Sequence, residues 1–367
     1  MQGKIINYFL NFKIPKMTQY AENENTSIPL GKEGLIAKIS EGARSLNSET
    51  VFSIGDDAAV CDFSQSGKTV VSSDIFAEGI HFDLTYTPLK HLGYKVVIAG
   101  ISDIYAMNAK PVQITVSLAV SNKVMQAHIL EFYEGVHAAC KEYNTDLIGG
   151  DLTTSKKGIS IAVTAIGRAQ EDELVYRSGA KPTDLICVTG DLGGAYMGLQ
   201  LLEREKTIFN SNPEAQPELS GYDYILKRQL KPECPADLRD YFKKKDIKPT
   251  SMTDVSNGLA SEILSLCNAS KMGCEIFQER IPVAEDTAKM AKEFNIDPVI
   301  AALNGGEDYE LLFTIKLSDY EKIKNNDMFS VIGSINALDK GRNIVMKDGS
   351  IITLEPSVNN QNFQNVI

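Results

Sequence analysis

The stretch Thr69-Val70-Val71-Ser72-Ser73-Asp74-Ile75-Phe76 is rich in β-branched residues and reads as a strand. Beyond it, LKHLGYKVVIAGISDIYAMNA (89–109) carries apolar residues at helical spacing, and ITVSLAV (114–120) is a second β-branched run. A strand, a helix and a strand in succession place the chain in the α/β or α+β class. Working outward, 125–143 reads as a helix, TDLIGGD (145–151) as a strand ending in a Gly-Gly turn, and GISIAVTAIGRA (158–169) as another strand. The first half therefore reads β-β-α-β-α-β-β. VYRSGAKPTD (175–184) has the Gly and Pro of a connector, and LICVTGDLGGAYMGLQLL (185–202) opens a second unit with a strand, a Gly-rich turn and a helix. Residues 205–222 are polar, contain Pro213 and Pro217, and read as a loop or a helix-hairpin insertion. SMTDVSNGLASEILSLCNAS (251–270) reads as a turn entering a helix, and LNGGEDYELLFTIKL (303–317) as a turn entering a strand.

The totals agree with two domains. At 367 residues the chain exceeds one ordinary core, and its apolar fraction of 43% and charged fraction of 23% are those of a soluble globular protein. Net charge is −11, with no Lys/Arg-rich run, which argues against nucleic acid as a partner. The six cysteines are scattered with no Cys-x-x-Cys pair, so reduced thiols in the cytoplasm are expected rather than a zinc site or a disulfide framework. The apolar run Ile5 to Phe12 is too short to span a bilayer, and no membrane partner is expected. Residues 1–26 are expected to be an N-terminal extension, disordered or an over-called start, ahead of domains at 27–170 and 171–367.

No standard nucleotide fingerprint is present. SGKT (66–69) resembles the tail of a phosphate loop, but Asp62 stands where the first Gly is required, and a strand rather than a helix follows. GDLGGAYMGL (190–199) lacks the full dinucleotide spacing, so its glycines are expected to serve close packing. What recurs instead is a carboxylate beside Gly or Ser at a strand end or helix start: Asp56/Asp57, Asp74, Asp103, Asp151, Asp254 and Glu307/Asp308. Any one alone is more often a turn residue or helix cap. Together, in apolar flanks where an unpaired charge is costly, they point to hard oxygen ligands for Mg²⁺, and Mg²⁺ brings substrate phosphates. Metal-assisted phosphoryl transfer is favoured over acyl transfer or redox chemistry. The four histidines lack metal-ligand spacing, and no Ser–His or Cys–His pairing is evident.

As a set, IGDDAAV, SSDIFAEGIHFDL, YKVVIAGISDIYAMNAKP, LIGGDLTTS, RSGAKPTDLICVTGDLGGA, DVSNGLASEI and NGGEDYELLFT resemble, in order and spacing, the thiamine-monophosphate kinase family. The resemblance runs from about residue 33 to the end. It implies the two-domain α/β architecture of the aminoimidazole ribonucleotide synthetase superfamily, with N-terminal domains pairing into a shared β-barrel in a homodimer. It also implies that several Mg²⁺ ions gather around ATP at Asp57, Ser72, Ser73, Asp74, Asp103, Asp151, Asp254 and Asn257. By the same resemblance Tyr133, Gly150, Asp151, Arg177 and Ser256 contact the nucleotide, and His81, Glu307 and Phe363 contact thiamine monophosphate. Asp57 is expected to face the metals while Asp56 binds backbone or a partner residue. Two positions depart from the family pattern: Asn257 replaces a charged Asp, and Gly100 replaces an Asn before the Ser-Asp pair.

The implied reaction converts ATP and thiamine monophosphate to ADP and thiamine diphosphate by in-line transfer. It needs no protein nucleophile and no general base, because the attacking phosphate oxygen is already ionised. Within the superfamily, selenophosphate synthetase requires a reactive Cys ahead of its Gly-rich loop, and no Cys precedes Cys61. The hydrogenase-maturation carbamoyl dehydratase ends in a reactive Cys, whereas this chain ends QNVI. Aminoimidazole ribonucleotide synthetase remains as the enzymatic alternative, and a non-catalytic thiamine-phosphate or nucleotide sensor as the alternative of another class.

Overall fold

The computed structural model of the chain describes residues 31–54, 58–64 and 67–354. Asp56, Asp57, Phe363 and the expected extension at 1–26 lie outside the described residues. After helix α1 (Gly31–Ser40), strands β1 (Thr50–Phe52) and β2 (Val60–Cys61) pair antiparallel. The first large sheet is built from β3 (Lys68–Ala77), β4 (Lys110–Ser121), β5 (Asp146–Gly149), β6 (Leu152–Ser155) and β7 (Ile159–Ala169), with helices α2 (Leu89–Ala106) and α3 (Gln126–Glu142) between strands. Strand order is β3-β7-β4-β5, and β6 also pairs with β4. β7 runs antiparallel to both β3 and β4, which in turn runs parallel to β5 and β6. β3, α2, β4, α3, β5 and β7 are elements expected from the period-two and helical patterns, whereas α1 and the short strand β6 were not.

Pleating decides which side chains of β3 can act together. Successive residues face opposite ways, so Ser72, Asp74 and Phe76 turn inward. Val71 and Ile75, at 62% and 68% exposure, turn outward with Ser73. The register then sets a transverse row, with Asp74 opposite Val163 and Val163 opposite Val116.

The second sheet has seven strands in the order β14-β13-β10-β12-β8-β11-β9. They are β8 (Leu185–Thr189), β9 (Ser251–Val255), β10 (Gly273–Phe277), β11 (Glu310–Ile315), β12 (Phe329–Asn336), β13 (Arg342–Val345) and β14 (Ile351–Thr353). Helices α4 (Gly194–Ser211), α5 (Asp223–Leu230), α6 (Leu238–Lys245), α7 (Leu259–Ser270), α8 (Glu285–Glu293), α9 (Pro298–Asn304) and α10 (Tyr320–Ile323) lie among them. Two local expectations are corrected. The polar segment 205–222 is loop only from 212, because 205–211 continues α4, whose buried Met197, Leu201, Leu202 and Glu205 recur at helical spacing. Ser251–Val255, expected to be a turn, is a strand whose five residues are all buried, because α2 covers this end of the sheet.

Helix α2 is the element the two sheets share. Fourteen of its 18 residues are buried, so it presents no solvent face of the kind a surface helix shows. It packs on β3, β4 and β7 of the first sheet and on β9 and β11 of the second. One apolar core runs through it, from Ile98, Ile101 and Val163 to Phe242, Leu311 and Phe313. On its remaining side α3 crosses at backbone contact. A Cβ on Gly93 would lie 2.0 Å from the Phe132 carbonyl, and one on Gly135 would lie 1.8 Å from the Lys90 carbonyl. Gly135→Ala is therefore expected to force α2 and α3 apart and cost about 1–3 kcal/mol of stability, measured by denaturant unfolding.

Candidate active site

The inner face of β3, the C-terminal half of α2 and the end of β9 meet in an acidic centre. Ser72 donates through Oγ to Asp103 Oδ2, and Ser102 Oγ donates to Asp254 Oδ2 at 3.0 Å. Asp254 is 4% exposed, and burial, followed by the Asp103 and Glu262 charges, raises its carboxyl above the ordinary range. Asp74 is pushed up to about 6, first by burial and then by Asp103. Its Oδ2 is buried with no hydrogen-bond partner. A buried acceptor of this kind, with the Asp103 charge acting on it and no hydrogen-bond partner among the described residues, fits a bound cation. Among the described residues, no three acidic, His or Cys side chains close into a metal-holding cluster.

A cavity of about 460 Å³ opens beside this centre, lined by His81, Ser256, Asn257 and Glu307 with Tyr86, Tyr196, Glu203 and Lys206. His81 follows β3 and accepts the Ala77 amide through Nδ1 at 3.1 Å, which in the neutral ring leaves the proton on Nε2. Glu307 sits in a loop at φ +62°, its amide donating to the Ser256 carbonyl at 2.9 Å. Its Oε2 is paired with Lys95 of α2 at 2.8 Å. Asp308, the next residue, is fully buried and points the other way, accepting the Gly193 and Ala195 amides at the start of α4 at 2.8 and 3.2 Å. Arg228 reaches from α5 to both Asp308 and Glu310, at 3.5 and 2.9 Å. Asn257 donates its side-chain amide to Glu262 at 2.9 Å, so here the neutral residue satisfies a buried carboxylate that an Asp would repel.

A second cavity, of about 870 Å³, lies across the first sheet and is lined by Tyr133, Gly150 and Asp151 together with α1 and β5 residues such as Ile36, Ile39 and Leu147. Tyr133 donates to the Val116 carbonyl at 3.2 Å, and only a glycine fits at 150, where a Cβ would lie 1.8 Å from that same carbonyl. The transverse row thus continues from Asp74 through Val163 and Val116 to Gly150, linking the acidic centre to this cavity.

The expected residues accordingly fall into three groups. Ser72, Asp74, Asp103 and Asp254 share the acidic centre; His81, Glu307, Ser256 and Asn257 share one cavity; Tyr133, Gly150 and Asp151 share the other. Ser73 is apart from Asp74, with its Oγ on the outward face against the Val163 carbonyl and Thr164. Arg177 is exposed, and its charge acts on Glu262 rather than in either cavity. Residues not singled out from the sequence also contribute. Lys95 is the clearest, a charge surrounded by apolar helix positions, which was its legible signal. Tyr86, Asp83, Glu203 and Lys206 form a second polar group at the cavity wall, with Tyr86 Oη donating to Glu203 at 2.7 Å and Lys206 paired with Asp83 at 2.7 Å.

A chain with these two sheets, and with cavities flanking an acidic centre, falls in a recognisable class. The family model for the AIR synthase related protein, N-terminal domain, matches residues 55–169. Thiamine-monophosphate kinase of Bacillus subtilis (strain 168) is 34% identical over 313 residues, covering 82% of this chain and 90% of that protein. The crystal structure of thiamine-monophosphate kinase from Stenotrophomonas maltophilia K279a superposes with a TM-score of 0.71 at 26% identity, covering 87% of this chain and 95% of that one. AaThiL complexed with AMPPCP and TMP superposes with a TM-score of 0.68 at 28% identity, over 89% and 96% of the two chains. The fold is the AIR synthase-related one. The chain belongs to the thiamine-monophosphate kinase family.

The acidic centre carries a pH signature. Asp74 has a folded pKa of about 6 against 3.8 for the free side chain, so the folded state holds its proton more tightly. Its contribution is most favourable below the unfolded value and is lost as pH rises through the folded one. Without divalent cations, Asp74→Asn is expected to melt a few degrees above the wild type near neutral pH, and the gain is expected to vanish toward pH 4. Differential scanning calorimetry in EDTA across this range checks it; an unchanged or lowered melting temperature at neutral pH would contradict the assignment.

Proposed function

We propose that the chain transfers the γ-phosphoryl group of ATP to thiamine monophosphate, giving thiamine diphosphate and ADP. The observation that carries this reading is the meeting of His81, from the first sheet, with Ser256, Asn257 and Glu307, from the second, around one cavity beside the acidic centre. Family membership and a relative complexed with AMPPCP and TMP support the same pair of substrates. Thiamine monophosphate is assigned to the cavity of His81 and Glu307. ATP is assigned to the larger cavity of Tyr133, Gly150 and Asp151, its phosphates directed along the transverse row toward Asp74.

Each part of this chain has a positioning task rather than a covalent one. The attacking oxygen belongs to the substrate's own phosphate and is ionised near neutral pH, so no side chain need take a proton. Glu307 and His81 hold the acceptor, while Gly150 lets the wall of the nucleotide cavity pack directly on the Val116 backbone, where a Cβ would lie 1.8 Å from its carbonyl. The gain comes from orienting two anions for in-line transfer in a site where their repulsion is offset. Asp74, Asp103, Asp254 and Ser72 are the described residues that would hold Mg²⁺, with Asp57, Asp151 and Asn257 joining them by resemblance. When bound, Mg²⁺ neutralises charge on the transferring phosphoryl group.

The N-terminal unit, 27–170, would then carry nucleotide and metal, and 171–367 would complete the acceptor site. A homodimer formed through the first sheet is supported by its outward face, where the edge strand β3 displays Val71 and Ile75 at 62% and 68% exposure. A cytoplasmic location is supported by six free cysteines. No helix among the described residues is long and apolar enough to cross a membrane.

ADP release that depends on added thiamine monophosphate is the expected result of a coupled assay with ATP and Mg²⁺, and Asp254→Asn is expected to lower it by about a hundredfold or more. Tight binding of both ligands without ADP would instead indicate a sensor. The interface has its own test: Val71→Lys with Ile75→Lys is expected to shift the sedimentation coefficient from dimer to monomer, and a monomeric wild type would remove the barrel proposal.

A further inference from the structure

The buried charge on α2 has a role that neither the resemblance nor the acidic centre supplies. Lys95 is 4% exposed and is the one charged side chain among the buried residues of its helix. Its ammonium donates to Glu307 Oε2 at 2.8 Å and to the Gln229 carbonyl at 3.0 Å. Glu307 keeps 26% of its side chain exposed, at the cavity wall. Its backbone is held by the Ser256 carbonyl on one side and by the buried Asp308 on the other, in a left-handed conformation uncommon for a residue with a side chain. With the backbone fixed, the remaining freedom is rotation of the carboxylate, and Lys95 removes it. Lys95 lies eight residues before Asp103 on one continuous helix, about 12 Å along the axis. α2 therefore carries the partner of the acceptor-site carboxylate at one end and a member of the acidic centre at the other.

We propose that Lys95 is a positioning residue for acceptor binding. It aims Glu307 into the cavity and, through α2, fixes that carboxylate relative to the centre where phosphoryl transfer takes place. This rests on the assignment of the Glu307 cavity to thiamine monophosphate. Lys95 does not line the cavity, and its engagement of Oε2 leaves Oε1 as the Glu307 oxygen for the ligand. The pair is a carboxylate with a charge-assisted donor in a nearly closed setting, so its loss is felt in ligand geometry as well as in stability.

The test compares wild type, Lys95→Met, Lys95→Arg, Glu307→Gln and the double variant Lys95→Met/Glu307→Gln, by steady-state kinetics with thiamine monophosphate, ATP and Mg²⁺ and by thermal melting of each. Lys95→Met is expected to raise KM for thiamine monophosphate about tenfold or more, with KM for ATP within about twofold, and Lys95→Arg is expected to recover most of the loss. The double variant is expected to show no larger KM than the worse single one, because both remove the same constraint. Additive penalties, or a lowered melting temperature with KM unchanged, would overturn the positioning role and leave Lys95 as a structural ion pair. Should Lys95→Met not fold, Lys95→Gln, which keeps a donor and removes the charge, is measured with the same two expected and overturning outcomes. A wild-type chain that fails to consume thiamine monophosphate overturns the proposed reaction itself, an outcome separate from additivity in an active enzyme.

Discussion

Placing polar side chains on a helix with almost no exposed face constrains everything around it. Lys95, Ser102 and Asp103 sit on α2, where a charge or hydroxyl left without a partner would cost several kcal/mol. Each is answered by a different segment: Lys95 by Glu307, Ser102 by Asp254 and Asp103 by Ser72. Asp254 belongs to the second sheet, Glu307 to the loop that enters its strand β11, and Ser72 to the first sheet. The sheets are thereby held in one relative placement by contacts whose geometry is directional, over a core whose apolar packing alone would tolerate small slips. The site is the set of these contacts seen from the solvent side.

The same economy explains how a chain of net charge −11 can receive two anionic substrates. Its acidic centre is costly when ionised and unpartnered, which is what a raised carboxyl at Asp74 and Asp254 expresses. A cation held there would relieve that repulsion and in turn attract phosphate. Basic residues are used sparingly by comparison. Lys95 and Arg228 are both tied to carboxylates, so they shape the loop around Glu307 and do not act as open anion sites.

Sequence patterning made the alternation of strands and helices in the first half legible, because β3, β4, β7 and α2 each carry their period over ten or more residues. Shorter elements were less so: β9, at five residues, shows no alternation because it is buried throughout and reads like a turn beside Asp254. Grouping of site residues was only partly legible. His81 and Glu307 are joined by a fold that no local pattern reveals. Ser73 stood beside Ser72 and Asp74 in the motif, yet the pleat turns it to the other face. Lys95 was not singled out, although it is a charge in an apolar helix; its partner lies in the other half of the chain, and only the three-dimensional pairing gives it meaning.

Adjacent polar residues in this chain divide their work, and the backbone imposes the division. In β3 the two-residue period sends Ser72 inward and Ser73 outward. At the Gly305-Gly306-Glu307-Asp308 loop the cause is different: Glu307 and Tyr309 both have positive φ, +62° and +53°, and the reversal between them points Asp308 into the start of α4 while Glu307 looks into the cavity. Such conformations persist where the surroundings over-determine them. Here they do so twice, through Asp308 with Arg228 behind the loop and Lys95 with Glu307 in front of it. The acidic pair is thus one buried anchor and one carboxylate at the cavity wall, and the anchor sets where that carboxylate can reach.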